Sequence, residues 1–294
     1  MPTDSRRLQG PENTTSYLLY VPSNKSYREF IKDIITKDKK RKDGRKLNEQ
    51  RRIYMKTGVV SQAKGSAYIE QNNTKVICSV FDPREIPRKS DYSVNGELYC
   101  EFRFAPFSCM KWRGHQADSY EKECSLILRR ALEPAVCRHE FPNFQVDVYA
   151  LVLENDGSAL AAAITCAGLA LADASVPMYD LVVATSVGIH GDMKFLDPTV
   201  EEESLCNMLP PDGKSRNHGI ITAAFSPAHQ QMSEFAQSGA MDIDCVTSSI
   251  QLLTETCESV YPLSQQCLLK SVTKMLKKKQ KETQLNLSSD RIAL

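Results

Sequence analysis

The order of segments in this 294-residue chain predicts an α+β fold: mixed β-sheets with helices packed on them. Three observations carry that expectation. Strand-like segments come in two groups, each followed by a helical one. The stretch GSALAAAITCAGLALADA, residues 157–174, is apolar over nearly its whole length. A closing segment repeats Val246, Ile250, Leu253, Cys257, Val260 and Tyr261 at helical spacing.

Taken in order, the first forty or so residues are polar except for SYREFIKDII at 26–35, a short amphipathic stretch. The run KDKKRKDGRK at 37–46 reads as a solvated linker, the usual fate of a dense charge run. Strands are expected at 53–60, 66–70 and 75–80, the last two joined by a hairpin turn at Gln71-Asn72-Asn73. A further strand at 97–104 precedes a loop and a helix over 119–138, which Pro134 should bend or end. A buried strand at 144–154 leads to the alanine-rich helix, whose small residues suit close packing on a sheet or another helix. Strands at 181–189, 193–196, 205–209 and 219–225 follow, and then the long amphipathic helix. The basic end, KKKQKETQLNLSSDRIAL, reads as the end of that helix turning into a disordered tail. The expected division is an extension and linker at 1–42, one domain at 43–278, and a tail at 279–294.

Composition narrows the function classes. A formal net charge of +1 commits the chain to no overall field for nucleic acid, so any basic surface must be local. No apolar run approaches the roughly 20 residues that span a bilayer, and the N-terminal residues lack the apolar core of a signal peptide. Ten cysteines stand singly with no C-x-x-C, and five histidines do not cluster with them at metal-ligand spacing. Reduced, buried thiols are expected, with no metal or cofactor and no membrane partner.

A helix start can hold an anion, because its first N–H groups lack partners within the helix. The start after Asn155-Asp156-Gly157 offers Ser158, Ala159 and Leu160, with no cation. Beyond Phe107 and Ser108, the segment CMKWRGHQAD sets Lys111, Arg113 and His115 around Trp112, the single tryptophan. Such a mixture can grip single-stranded RNA through phosphates and base stacking. It also suits a polar loop with Trp112 folded onto the body or a neighbour. Asp197 and Glu203 stand six residues apart, and with Glu201 and Glu202 between them a solvated acidic turn is the expectation from composition.

Seven stretches, in order, resemble the ribonuclease PH family. They are DGRKLNEQR, AKGSAYIEQNNTKVICSVFDPRE, ELYCEFRFAPFS, LENDGSALAAAI, ALADASVPMYDLV, LDPTVEEE and ESVYPLSQQCL. The resemblance implies a fold of that family, whose members are phosphorolytic 3′→5′ exoribonucleases or non-catalytic relatives in six-membered rings around an RNA channel. Phosphorolysis must hold a phosphate dianion beside an RNA backbone, so it needs fixed cations and helix-end N–H groups. Active members carry Gly-Thr-Arg-Thr at this helix start and an arginine pair before the first long helix. The matching positions here are Ala159 and Leu160, and Ser119 and Tyr120. Isobutyl cannot imitate a bidentate guanidinium. The acidic pair matches at Asp197, whereas Glu203 is one methylene longer than the family's aspartate.

Within the family, GSALAAA, MYDLV, LDPTVEEE and YPLSQQ resemble a non-catalytic ring subunit of the eukaryotic RNA exosome. That implies ring-subunit neighbours, RNA-binding cap subunits, RNA, and an associated catalytic exoribonuclease, in the nucleus, nucleolus and cytoplasm. It places the loop of Lys111, Trp112, Arg113 and His115 toward the channel. The competing classes are an active phosphorolytic exoribonuclease, supported by Asp197, and a solitary RNA-binding module, opposed by the charge balance.

Overall fold

A computed structural model describes residues 31, 34, 40–86, 92–208 and 217–292. Two sheets enclose a central helix. The first joins β1 (Ile53–Thr57), β2 (Gly65–Gln71), β3 (Thr74–Glu85), β4 (Glu97–Phe104) and β5 (Phe144–Glu154) in the order β1-β2-β3-β5-β4, and only β4 and β5 run parallel. The second is antiparallel, β7-β6-β8-β9, from β6 (Val183–His190), β7 (Met193–Leu196), β8 (His218–Ser226) and β9 (Gln231–Ala240). The predicted hairpin is present: Gln71 pairs with Thr74, and Asn72 takes the left-handed conformation at φ 51°.

Helix α1 (Ser119–Leu132) opens with a capping box between Asp118 and Glu121 and stops before Pro134, short of the expected 138. Helix α2 (Ala159–Asp173) is the alanine-rich segment. It contacts β2, β3 and β5 on one side and β6 and β8 on the other. That position explains its composition, since a helix buried all round must be apolar all round. Its small side chains let two sheets approach one helix; a Cβ on Gly168 would sit 2.9 Å from the Val182 carbonyl oxygen. The main core lies between α2, α1 and the first sheet, and a second cluster lies between the other sheet and α4 (Ile243–Ile292). All ten cysteines are free thiols, seven of them buried. No described helix is long and apolar enough to cross a membrane.

Four points of the sequence reading need correction. The expected strand at 205–209 is absent over its described residues, 205–208: α3 (Val200–Cys206) reaches into the region, started by a capping box in which Thr199 N–H donates to Glu202 at 2.9 Å. The signal was T-x-x-E at 199–202, whose helix-starting logic outweighs the local apolar run. Strand β9 went unread because QMSEFAQSGA does not alternate; it is a largely exposed edge held by pairing with β8. The 37–46 run is not a solvated linker where it is described. Arg41 is 1% exposed and donates to the carbonyl oxygens of Leu196 (2.6 Å), Asp197 (3.3 Å) and Leu47, and to Glu202 (3.4 Å). Ile34, the buried member of the amphipathic stretch, packs with Phe195 and Leu205; the rest of that stretch lies outside the described residues, except Ile31 beside it. At the other end the backbone is helical through Ile292, where a disordered tail was expected.

Candidate functional site

Two corners meet at the N-terminus of α2. One joins β5 to α2 through Asn155–Ser158; the other joins β7 to α3 through Asp197–Thr199. Gly157 has φ +84°, and a Cβ there would lie 2.3 Å from the Pro198 carbonyl oxygen, so the two corners touch only because this residue lacks a side chain. Ser158 is also left-handed, at φ 54°. Its hydroxyl accepts from Ser186 (2.7 Å) and donates to the Pro198 carbonyl (3.2 Å).

Arg51 clamps the corners together. It donates to Asp197 through Nε (2.8 Å), Nη2 (2.6 Å) and its backbone N–H (3.1 Å). The same guanidinium reaches the carbonyls of Asp156 (2.8 Å) and Gly157 (3.1 Å) and the Thr74 hydroxyl (3.0 Å). Burial works against the Asp197 charge, but the Arg51 hydrogen bonds and charge outweigh it and hold this carboxyl below the ordinary value. Both Asp197 oxygens are spent on that clamp.

Beside the clamp lies a cleft of about 420 Å³, with Phe104, Arg113, Tyr120, Leu160, Glu203 and Asn207 on its walls. Ser158 and Ala159 also border it. The Glu203 carboxylate accepts the Ser158 N–H at 2.7 Å, at the end of α2 that favours negative charge. The chain therefore fills the helix start with a carboxyl group of its own, where no cation stands. Burial pushes the Glu203 carboxyl up to about 7, against the Ser158 N–H and the Arg51 charge, which pull it down. Arg113 is the only Lys or Arg lining the cleft among the described residues. Its guanidinium lies 4.1 Å from the Phe104 ring centroid and within 3.6 Å of Asp118 and 3.9 Å of Glu121, so its charge is already met.

Residues 49–177 match the 3′ exoribonuclease family, domain 1. The mouse protein "Exosome complex component MTR3" is 35% identical over 288 residues, spanning 92% of this chain and 96% of that protein. The chain belongs to the 3′ exoribonuclease family. This is the ribonuclease PH family of the sequence resemblance. The human protein of the same name matches at 35% over the same shares, and "Exosome complex component Rrp41" of Pyrococcus furiosus is 33% identical over 82% of this chain and 93% of that one. MTR3 is the exosome subunit of the mRNA transport regulator type that GSALAAA, MYDLV, LDPTVEEE and YPLSQQ resemble. Among solved structures, rice Rrp46 superposes with a TM-score of 0.65 at 23% identity, covering 76% of this chain and 98% of that one. The Archaeoglobus fulgidus exosome with RNA bound to its active site gives 0.66 at 21%, covering 76% and 92%. At those identities the likeness concerns the fold.

The family positions read from the sequence converge in part. Tyr120, Ala159, Leu160 and Glu203 share the cleft, while Ser119 is exposed and lies outside its walls. Asp197 sits behind the cleft at 3% exposure and Glu202 is equally buried, so the acidic segment is not a solvated turn; only Glu201 and Ser204 of its helical part are exposed. The four loop residues do not act as a unit. Lys111, Trp112 (37% exposed) and His115 face solvent, whereas Arg113 turns into the cleft. Arg51 and Arg41 escaped the sequence reading. Arg51 closes the DGRKLNEQR stretch that carried the resemblance, but nothing in its spacing announced a partner 146 residues away.

Proposed function

We propose that the chain is a non-catalytic structural subunit of the eukaryotic RNA exosome ring, supporting assembly and guiding RNA 3′ ends to a nuclease carried by another subunit. The observation behind this reading is the α2 N-terminus, where Glu203 takes the anion position and Tyr120, Ala159 and Leu160 replace the expected phosphate-holding groups. Two carboxylates, Glu123 and Glu203, and one already paired arginine line the cleft. That lining offers a phosphate dianion no unpaired cation, and the Glu203 carboxyl already occupies the Ser158 N–H. The relatives named as exosome components support placement in the complex, with ring-subunit neighbours, RNA-binding cap subunits and an associated exoribonuclease, in nucleus, nucleolus and cytoplasm. Gentle affinity purification should recover the chain in a hetero-oligomer with other members of the family, identified by native mass spectrometry. A monodisperse, folded monomer indifferent to co-expressed ring subunits would overturn the assignment.

For RNA contact, Lys111 is the loop cation free to reach a phosphate, because Arg113 is engaged with Phe104 and Glu121. In the assembled complex, Lys111→Ala should flatten the plot of log affinity against log salt by about 0.7, the share of one phosphate on a single strand. The loss should be alike for unrelated RNA sequences. An unchanged slope in intact rings would take the loop off the RNA path.

A further inference from the structure

Strand β1 ends the first sheet, and its outer side borders a groove of about 340 Å³ against α4. All five residues from Ile53 to Thr57 line it. Consecutive strand side chains point to opposite faces, so a cavity touching every one of them lies along the strand's edge, where the main chain is presented. The ladder parity says which groups face outward. Gly58 N–H donates to the Ser66 carbonyl at 2.8 Å, and β1 pairs with β2 in the same register, with Lys56 opposite Tyr68 and Tyr54 opposite Glu70. Tyr54 and Lys56 therefore spend their N–H and C=O on β2. Those of Ile53, Met55 and Thr57 point away from it.

Helix α4 lies beneath this edge: the Ser264 hydroxyl reaches the Met55 sulfur at 3.6 Å, and Val260 packs in the same cluster as Ile53 and Met55. One helical position further round, Leu263, Gln266, Lys270 and Lys274 extend past the strand as a floor. Lys56, Lys270 and Lys274 give the groove three cations, no carboxylate lines it, and none of the three lysines makes an ion pair among the described residues. Leu263 is 46% exposed on that floor, and the Thr57 hydroxyl is buried at the groove without a hydrogen-bond partner among the described residues.

We propose that this groove is a docking site for an extended, acidic segment of a partner protein, which joins the sheet as an added strand beside β1. The main chain of such a segment supplies both donors and acceptors to Ile53 and Met55, its carboxylates meet the three lysines, and an apolar side chain rests on Leu263. RNA fits the charge but not the edge. RNA phosphates only accept, so the outward carbonyls of Ile53 and Met55 would have to find 2′-hydroxyls or bases, whereas a peptide main chain presents donors and acceptors together along one line. Left open, an edge of this kind invites unwanted pairing, and its lysines are the usual guard against it.

The test uses the full chain in its assembled complex and a short synthetic peptide alternating glutamate and valine, followed by fluorescence anisotropy and by residue-resolved hydrogen exchange. The peptide should bind, and Lys270→Glu with Lys274→Glu should weaken it at least about tenfold, about 1.4 kcal/mol. Both lysines are exposed, so these variants keep the fold. Peptide should slow exchange at the Ile53 and Met55 amides and leave those of Tyr54 and Lys56, already in the ladder, unchanged. Four results would overturn the proposal: equal binding of a glutamine-for-glutamate peptide, protection without that parity, protection by oligouridylate in place of the peptide, or Ile53 and Met55 amides already protected in the complex by a ring neighbour. None of these outcomes bears on whether the α2 cleft is catalytic.

Discussion

Labelled RNA and inorganic phosphate, incubated with the purified chain or with its complex after inactivation of the associated nuclease, should yield no nucleoside diphosphate. The family resemblance implies phosphate-holding cations at the positions held here by Ser119, Tyr120 and Leu160, and a hydroxyl where Ala159 stands. Each lost hydrogen bond to a charged group costs about 1.5–3 kcal/mol, or roughly 10–100-fold, before non-additivity. The structure adds an obstacle that substitution of those positions alone would not remove. Glu203 is bonded to the Ser158 N–H at 2.7 Å, so a phosphate must displace a carboxylate as well as find cations. Installing Ser119→Arg, Tyr120→Arg and Leu160→Arg should therefore raise phosphate affinity clearly only when combined with Glu203→Gln, measured by calorimetry with inorganic phosphate. Phosphate-dependent release of diphosphates by the unaltered chain, abolished in Glu203→Ala, would overturn the non-catalytic reading.

The second large effect concerns Asp197, which the family resemblance matches to a member of an acidic pair and composition assigns to a solvated acidic turn. Its partner Arg51 has a side chain at 0% exposure, and Asp197 is itself buried. Removing one member of a buried, multiply bonded pair strands the other charge, at a cost of about 3–5 kcal/mol. Asp197→Asn should lower Tm on the order of 10 °C, followed by thermal unfolding of the chain in its complex. The double variant Arg51→Met with Asp197→Leu should cost less than either single change, because no uncompensated charge remains. A near-native Tm for Asp197→Asn would remove the clamp from the account of the fold. Because the folded carboxyl sits below the ordinary 3.8, this stabilisation is present at neutral pH and lost as pH falls through the folded value. Glu203 works in the opposite sense. Raised from 4.5 to about 7, it contributes stability that is complete below 4.5 and lost as pH rises through 7. Glu203→Gln should flatten the stability profile across that window.

Much of the architecture is legible in the chain because it is local. The strands at 97–104, 144–154 and 193–196 have the bounds expected from apolar patterning, and Pro134 stands just past the end of α1. Alanine crowding predicts close packing of α2 on a sheet or another helix, and its length, well short of a bilayer's roughly 20 residues, leaves a protein core as the setting for a helix apolar on nearly every side. The absence of cations at the positions that the resemblance assigns to phosphate is likewise a matter of residue type: Tyr120 and Leu160 cannot carry a guanidinium's charge in any conformation. The tertiary structure decided what the remaining charges do. Arg41 and Arg45 look like members of a solvated run, and Asp197 and Glu202 like members of a solvated turn, until folding brings the two segments together and buries them against each other. A charge in sequence has no preference between water and an opposite charge far along the chain. That preference arises only when burial removes the water, so the Arg51–Asp197 clamp, the Glu203 carboxylate on the α2 terminus and the open β1 edge are properties of the assembled sheets and not of the residues that form them.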